Sequence, residues 1–485
     1  MVLSLIFIVC EQQKNDDANE MILAQIGKKS ISVNEYIRRT EYTIRPPYCS
    51  LDNQIHKKIV LNSLIAEKLF ALEAGEDNEL TRNEHFQDYL QGRKEQAMRQ
   101  WQYHEVAYSK VKMDTNEINK AFQLAGRAYQ LEYCSHSDSG IILQIQNHLA
   151  TKSKSFAEIY RQFFGLEEVP RREVSWDSSE DPIVFEALFS DKLAMGQIIG
   201  PIKTTEDNYL LLQVSGWRNR PAISDYDIQQ RWKNVSEKLQ TLNANSIYAD
   251  LAAKVMKGKR VEFSRDTFLK LANVVAPFYL KSLEDKRQAF QQKFWENEKI
   301  AAPDEWQLDE MIDQSLLRID NQTWSVKNFL KEINIHPLVF RQQKIGQSEF
   351  PEQFKLAIVD LIRDKYLTQE AYRQDYDEVN AVKRNIEMWQ DNLLALYQKN
   401  LFLSSHKVEE SDYLKVIDTF LNPFIDSLQS KYSAVIKIDT EHWEKIQSTK
   451  INMFALQKNV PYPIIVPSFP LVTTDHALDY GKKMN

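Results

Sequence analysis

Few residues of this chain could make or break a covalent bond, and none is spaced for it. Cys10, Cys49 and Cys134 stand far apart, no CxxC occurs, and the nine histidines are scattered. A protein-held metal needs ligands returning at short, fixed spacings, so neither a metal centre nor any other cofactor is expected. HExxH, a glycine-rich phosphate loop and GxSxG are all missing, which removes the main hydrolytic and phosphoryl-transfer chemistries. Cys49 and Cys134 read as two unrelated, reduced core thiols, or as a pair in an oxidising compartment. What remains is recognition. Val174, Trp176, Phe185, Phe189 and Tyr209 can line a shallow apolar groove for peptide, or form the core of the unit that carries them.

Cys10 has a different setting. Val2 to Val9 (VLSLIFIV) is an uninterrupted apolar run too short to span a bilayer as a helix. After Cys10 comes EQQKNDDANE, polar and without apolar periodicity. Residues 1–21 resemble the signal and tether of a bacterial lipoprotein, in which Cys10 is acylated and begins the mature chain. The other reading is a buried N-terminal strand with an ordinary core cysteine. The lipoprotein resemblance implies lipid anchoring at the periplasmic or extracytoplasmic face of the envelope, with the outer membrane the first choice. Charge is dense but balanced, 61 basic against 68 acidic residues, and no basic stripe occurs. Nucleic acid is therefore not an expected partner. Only 12 glycines in 485 residues, with abundant Gln, Lys, Glu and Leu, argue for a mainly helical protein.

The elements that must position the aromatic residues are written twice. Ile26 to Tyr36 (IGKKSISVNEY) returns as Ile319 to Phe329 (IDNQTWSVKNF), 293 residues later. Leu61 to Ala74 (LNSLIAEKLFALEA) returns as Ile358 to Ala371 (IVDLIRDKYLTQEA), at an offset of 297. Two pairs in register indicate a duplicated module. Each copy opens on a hairpin, around Gly27-Lys28-Lys29 in the first. Ser32 then caps a helix, with Glu35 completing a capping box; Ser325 holds the matching place without the Glu. Leu61, Leu64, Ile65, Leu69 and Leu72 recur at helical spacing, as do Ile358, Leu361, Ile362 and Tyr366. Long amphipathic helices follow at about His85 to Lys110 and Val382 to Leu403. Val261-Glu-Phe263 matches Ile436-Lys-Ile438 at an offset of 175, so a returning strand is expected to complete each hairpin's sheet. Module one then runs over 22–126 and resumes at 219–272, around an insert at 127–218. Residues 273–311 form a linker helix, and 312–447 are module two without the insert. In the tail, 448–485, four prolines punctuate PYPIIVPSFPLV. That stretch must be extended, on this protein's own surface or on a partner.

Residues 127–218 mix strands with short helices. Tyr129 to Cys134, Phe156 to Tyr160, Val174-Ser-Trp176, Glu186 to Phe189, Gly196 to Ile202 (GQIIGPI) and Asn208 to Val214 follow in an order that resembles the parvulin-type peptidyl-prolyl isomerases. The flanking modules resemble the helical chaperone domain of the SurA, PrsA and PpiD group, where a parvulin domain is likewise inserted; this likeness covers most of 22–272. The expected fold class is thus mainly α with an α+β insert: two SurA-like modules, the first interrupted by a parvulin-like domain.

The resemblance also carries a departure. The histidines that active parvulins place on the first and last strands fall here on Glu132 and Leu210. Prolyl isomerisation needs a site that holds the twisted amide more tightly than the planar one, and a leucine offers no hydrogen bond for that task. The resemblance therefore implies an extracytoplasmic, lipid-anchored chaperone or foldase-like protein. It would bind unfolded or nascent secreted and outer-membrane polypeptides, with a degenerate parvulin domain. The alternatives are an active parvulin-type isomerase with an altered pocket, and an accessory subunit of an outer-membrane assembly complex docked through the tail.

Overall fold

Alternation on either side of a tight turn builds the same hairpin twice in the computed structural model. It describes residues 21–280, 308, 310–446 and 463–477, apart from 152–153, 179, 205–207, 343–344 and 409–411. The first hairpin is β1 (Ile22–Ile26) with β2 (Lys29–Ser32), the second β8 (Ser315–Ile319) with β9 (Gln322–Ser325). Gly27 turns at φ 59° and its counterpart Asp320 at φ 51°. Aspartate is one of the few side chains that tolerates this left-handed conformation, so Asp320 substitutes for the glycine. Ser32 accepts a hydrogen bond from the Glu35 amide at the start of α1 (Val33–Glu41). The reciprocal capping box is in the other copy, where Ser325 and Asn328 open α10 (Val326–Ile335). Glu35 is not free to complete its box because its carboxylate is held by Lys68 at 2.8 Å.

Each hairpin gains a third strand on the same edge, but the donors are exchanged. β10 (Ile436–Ile438) pairs with β1, Ala24 opposite Ile438 and Ile26 opposite Ile436. β7 (Val261–Phe263) pairs with β8, Val261 opposite Ile319 and Phe263 opposite Leu317. The expectation that residues 219–272 complete module one is overturned. They lead to module two, and the end of the chain completes module one. The cause is α8 (Asp225–Met256), an unbroken helix of 32 residues. At 1.5 Å per residue it covers about 48 Å and carries the chain away from the insert to the second hairpin.

The two copies interlock through their long helices. α2 (Gln54–Ala74) of the first copy and α11 (Phe350–Arg373) of the second bear the repeated leucine and isoleucine faces, and both faces are buried. α3 (Glu84–Val106) leaves the first copy and packs on α10 and α11. There Arg99 donates to the Thr368 hydroxyl at 2.6 Å, and Glu95 meets His336 at 2.5 Å. A Cβ on Gly92 would lie 2.0 Å from the Ile335 carbonyl oxygen, so only glycine lets these helices approach. In return α12 (Asn380–Ser405) packs on α2. The first core joins Leu23, Ile26, Leu64 and Ile65 to Ile425 of α13 (Asn422–Tyr432) and Trp443 of α14 (Thr440–Lys445). The second joins Leu317, Phe329 and Phe354 to Phe268 of α9 (Arg265–Tyr279).

Between α4 (Thr115–Ala125) and α8 lies a four-stranded antiparallel sheet, from Arg127 to Asn219. Its strands are β3 (Arg127–His136), β4 (Arg171–Ser175), β5 (Ile198–Lys203) and β6 (Tyr209–Asn219), in the order β4-β3-β6-β5. α5 (Ser139–Ala150) and α6 (Phe156–Phe164) cover one face, and α7 (Pro182–Phe189) the other. The chain is mainly helical with small antiparallel sheets. Among the described residues no helix is long and apolar enough to cross a membrane.

Three expectations touch residues beyond those described. Cys10 lies outside them, as does most of the 273–311 linker, although Leu308 and Met311 return to the second core. Of the tail, residues 463–477 are described. They are extended, and they pack on this chain's own helices.

Candidate functional site

Side chains alternate between the faces of a strand, and residues opposite one another share a face. Ser135 is opposite Leu210, Cys134 opposite Leu211, and Glu132 opposite Gln213. Leu210 and Leu212 therefore face α7, whereas Cys134 and Leu211 face α5 and α6. Glu132 belongs to the second face. The two positions where parvulin histidines would fall thus project from opposite sides of the sheet and cannot act on one amide. Leu210 is buried in the core, and Glu132 forms an ion pair with Arg171 at 2.7 Å. Tyr209 also falls on the α5–α6 side, with Ile198 and Leu211, away from the aromatic positions it was grouped with.

The other four positions come together. Val174, Trp176, Phe185 and Phe189 form one buried cluster under α7. Ring centroids lie 4.9 Å apart for Trp176–Phe185, 4.8 Å for Phe185–Phe189 and 5.4 Å for Trp176–Phe189. Val174 lies wholly within the core, but the three rings reach a surface. They floor a cleft of about 570 Å³ between α4, α7 and α8, with Leu239 and Leu242 on the far wall and Ile183 at the rim. Ile183 is 48% exposed. Ile183, Leu239 and Leu242 were not among the expected groove residues. The available signal was Val235, Leu239 and Leu242 at helical spacing, which by itself indicates only that α8 has an apolar face.

Lys238 of α8 closes one end of the aromatic floor. Its ammonium lies 3.7 Å from the centroid of Phe185 and donates to the carbonyls of Trp176 at 2.5 Å and Ser178 at 3.3 Å. Burial pulls its pKa down to about 8, with Asp177 and Glu180 opposing the shift. A depressed lysine binds its proton less tightly in the native state than in the unfolded chain. Stability should therefore rise with pH between about 8 and 10.5, and lose that increment as pH falls through 8. The ε-carbon of Lys238, followed by NMR, should titrate near 8. A midpoint above 10 would mean that the side chain is hydrated and its contact with Phe185 open to water.

Neither described cysteine is poised as a nucleophile. Burial raises the Cys134 thiol to about 11 and the Cys49 thiol to about 12, far from the thiolate form a nucleophile needs. The two thiols are free and sit in separate cores. Among the described residues no group of His, Cys, Asp and Glu gathers to hold a metal ion. The cleft can bind an apolar side chain through its aromatic floor. Comparison with known proteins finds no family model that matches this chain, no curated relative and no similar solved structure.

Proposed function

We propose that this protein is an extracytoplasmic, lipid-anchored chaperone of the SurA, PrsA and PpiD kind, which binds unfolded secreted or outer-membrane polypeptides. On this reading it acts at the outer membrane, alone or with the assembly complex there, and its parvulin-like domain does not isomerise proline. The observation that carries the reading is the cleft between the insert and α8, with an aromatic floor and a half-exposed isoleucine at its rim. Two or three client side chains buried there would supply roughly 3–9 kcal/mol before ordering costs, which corresponds to weak, exchangeable binding. The order of elements between Arg127 and Asn219, strand, two helices, strand, helix and two strands, supports the parvulin-like reading of the insert.

Loss of isomerase activity is the sharpest part of this reading. Leu210 lies in the sheet core, Glu132 on the opposite face, and neither offers the twisted amide a partner. In a proline-limited refolding assay the slow phase should keep its uncatalysed rate at every concentration of this protein. A rate that rises in proportion to added protein would establish an active isomerase instead.

A further inference from the structure

The tail segment 463–477 occupies a groove as a bound peptide would. Its residues alternate with a period of three. Val466 and Pro467, Phe469 and Pro470, and Val472 and Thr473 are buried, while Ile465 and Ser468 face outward and Leu471 is half-buried. Three residues per turn is the period of a polyproline II helix, which suits a segment carrying Pro463, Pro467 and Pro470. Val466 joins the apolar cluster of Phe86, Leu90, Trp389 and Leu393, while Phe469 and Val472 enter the first core.

Most polar contacts are made to the segment's main chain; at its far end the hydroxyls of Thr473 and Thr474 are held by Asn422 and Asp418. Gln100 donates to the Pro463 carbonyl. Arg39 Nη2 donates to the Ser468 carbonyl at 2.9 Å, and Asn392 Nδ2 to the same oxygen at 3.4 Å. Asn62 Nδ2 donates to the carbonyls of Asp475 at 2.9 Å and Ala477 at 2.8 Å. Glu67 fixes two of these donors, holding Arg39 through two bonds and Asn392 through a third at 2.7 Å. Carbonyls are common to every polypeptide, so these donors read backbone, while Asn422 and Asp418 add a preference for hydroxyl side chains at one end. Arg39, Asn62 and Asn392 are all buried; Arg39 and Asn392 keep Glu67 when the segment leaves, so the groove's donors stay in place for another carbonyl. A vacated groove is thus poised to take another extended chain.

We propose that the groove between α2, α12 and α13 is a binding site for extended, proline-tolerant segments of unfolded polypeptides, and that residues 463–477 hold it shut in cis. The proposal rests on the chaperone reading and adds a second site to it. Covalent attachment gives the tail an effective concentration of about millimolar, so a weakly binding client does not displace it from the intact chain.

The test uses the full chain with a protease site inserted within residues 448–462, folded and then cut. The probe is a fluorescent peptide of residues 463–477. Expected is at least about tenfold tighter binding of the probe to cut than to intact protein, with no binding of a probe in which Val466, Phe469 and Val472 are aspartate. A reduced, carboxymethylated polypeptide should compete. If the tail leaves too slowly, a full-length chain carrying those three aspartates should bind the unaltered probe as the cut protein does. Equal binding of both probes, or none to either protein, overturns the proposal. If the polypeptide binds the protein without displacing the probe, the groove proposal falls and the chaperone reading stands. If it binds nowhere, both fall.

Discussion

Replacing Arg39 by methionine should lower the unfolding free energy by about 3–5 kcal/mol, because it strands a buried carboxylate. Arg39 and Glu67 are both 0% exposed and meet through two bonds, at 2.7 and 2.8 Å. Around them Lys68 bridges Glu35 at 2.8 Å and Asp391 at 3.0 Å, and Lys29 also reaches Asp391. This network ties α1 and α2 of the first copy to α12, across the duplication. Desolvation is the largest influence on Glu35 and raises its pKa despite Lys68, so the ionic cluster already carries a burial cost. Removing one charge leaves that cost uncompensated. The double variant Arg39→Met with Glu67→Leu should recover most of the loss, since it removes both ions together. Denaturant unfolding of the single and double variants checks this. A loss below 1 kcal/mol for Arg39→Met would mean that water reaches the pair.

Trp443→Ala should cost about 3–5 kcal/mol, and the place where the loss is felt matters more than its size. Trp443 is the largest fully buried side chain of the protein's described part. It follows β10 and packs in the core of the first hairpin, more than 400 residues from Leu23 and Ile26. Amide exchange should quicken across Ile22–Ser32 and stay unchanged across Ser315–Ser325. Phe268→Ala, in the second core with Phe354, should give the mirror result. Loss of protection at the second hairpin in the Trp443 variant would restore the unexchanged pairing.

That exchange was not legible in the sequence, for a simple physical reason. Val-Glu-Phe and Ile-Lys-Ile present the same alternation, so either strand can complete either edge. The choice is made by α8, whose length delivers β7 to the distant hairpin. The hairpins, the repeated helices and most elements of the insert were legible, because each follows from local turn chemistry or periodicity; α5 was not singled out. The tail's extended form was legible in its prolines, whereas its docking place depends on Arg39, Asn62 and Asn392, scattered along the chain. In the candidate site, Val174, Trp176, Phe185 and Phe189, grouped from the sequence, share one cluster in the fold. Tyr209 and Glu132 do not join it, since a shift of one residue along a strand reverses the face. The far wall, Leu239 and Leu242, resembles any helix face until its neighbour is known.

The central claim, that the cleft beside the insert receives unfolded polypeptide, has one direct test. A photo-crosslinking residue replaces Ile183 or, in separate variants, Ile44 or Val339, and each full chain is irradiated with a reduced, carboxymethylated polypeptide or with its native, folded form. Adducts to the unfolded form at position 183, and none to the folded form, are expected. Adducts at exposed positions away from the cleft, such as Ile44 and Val339, without any at 183 would contradict the account, as would equal labelling by both forms.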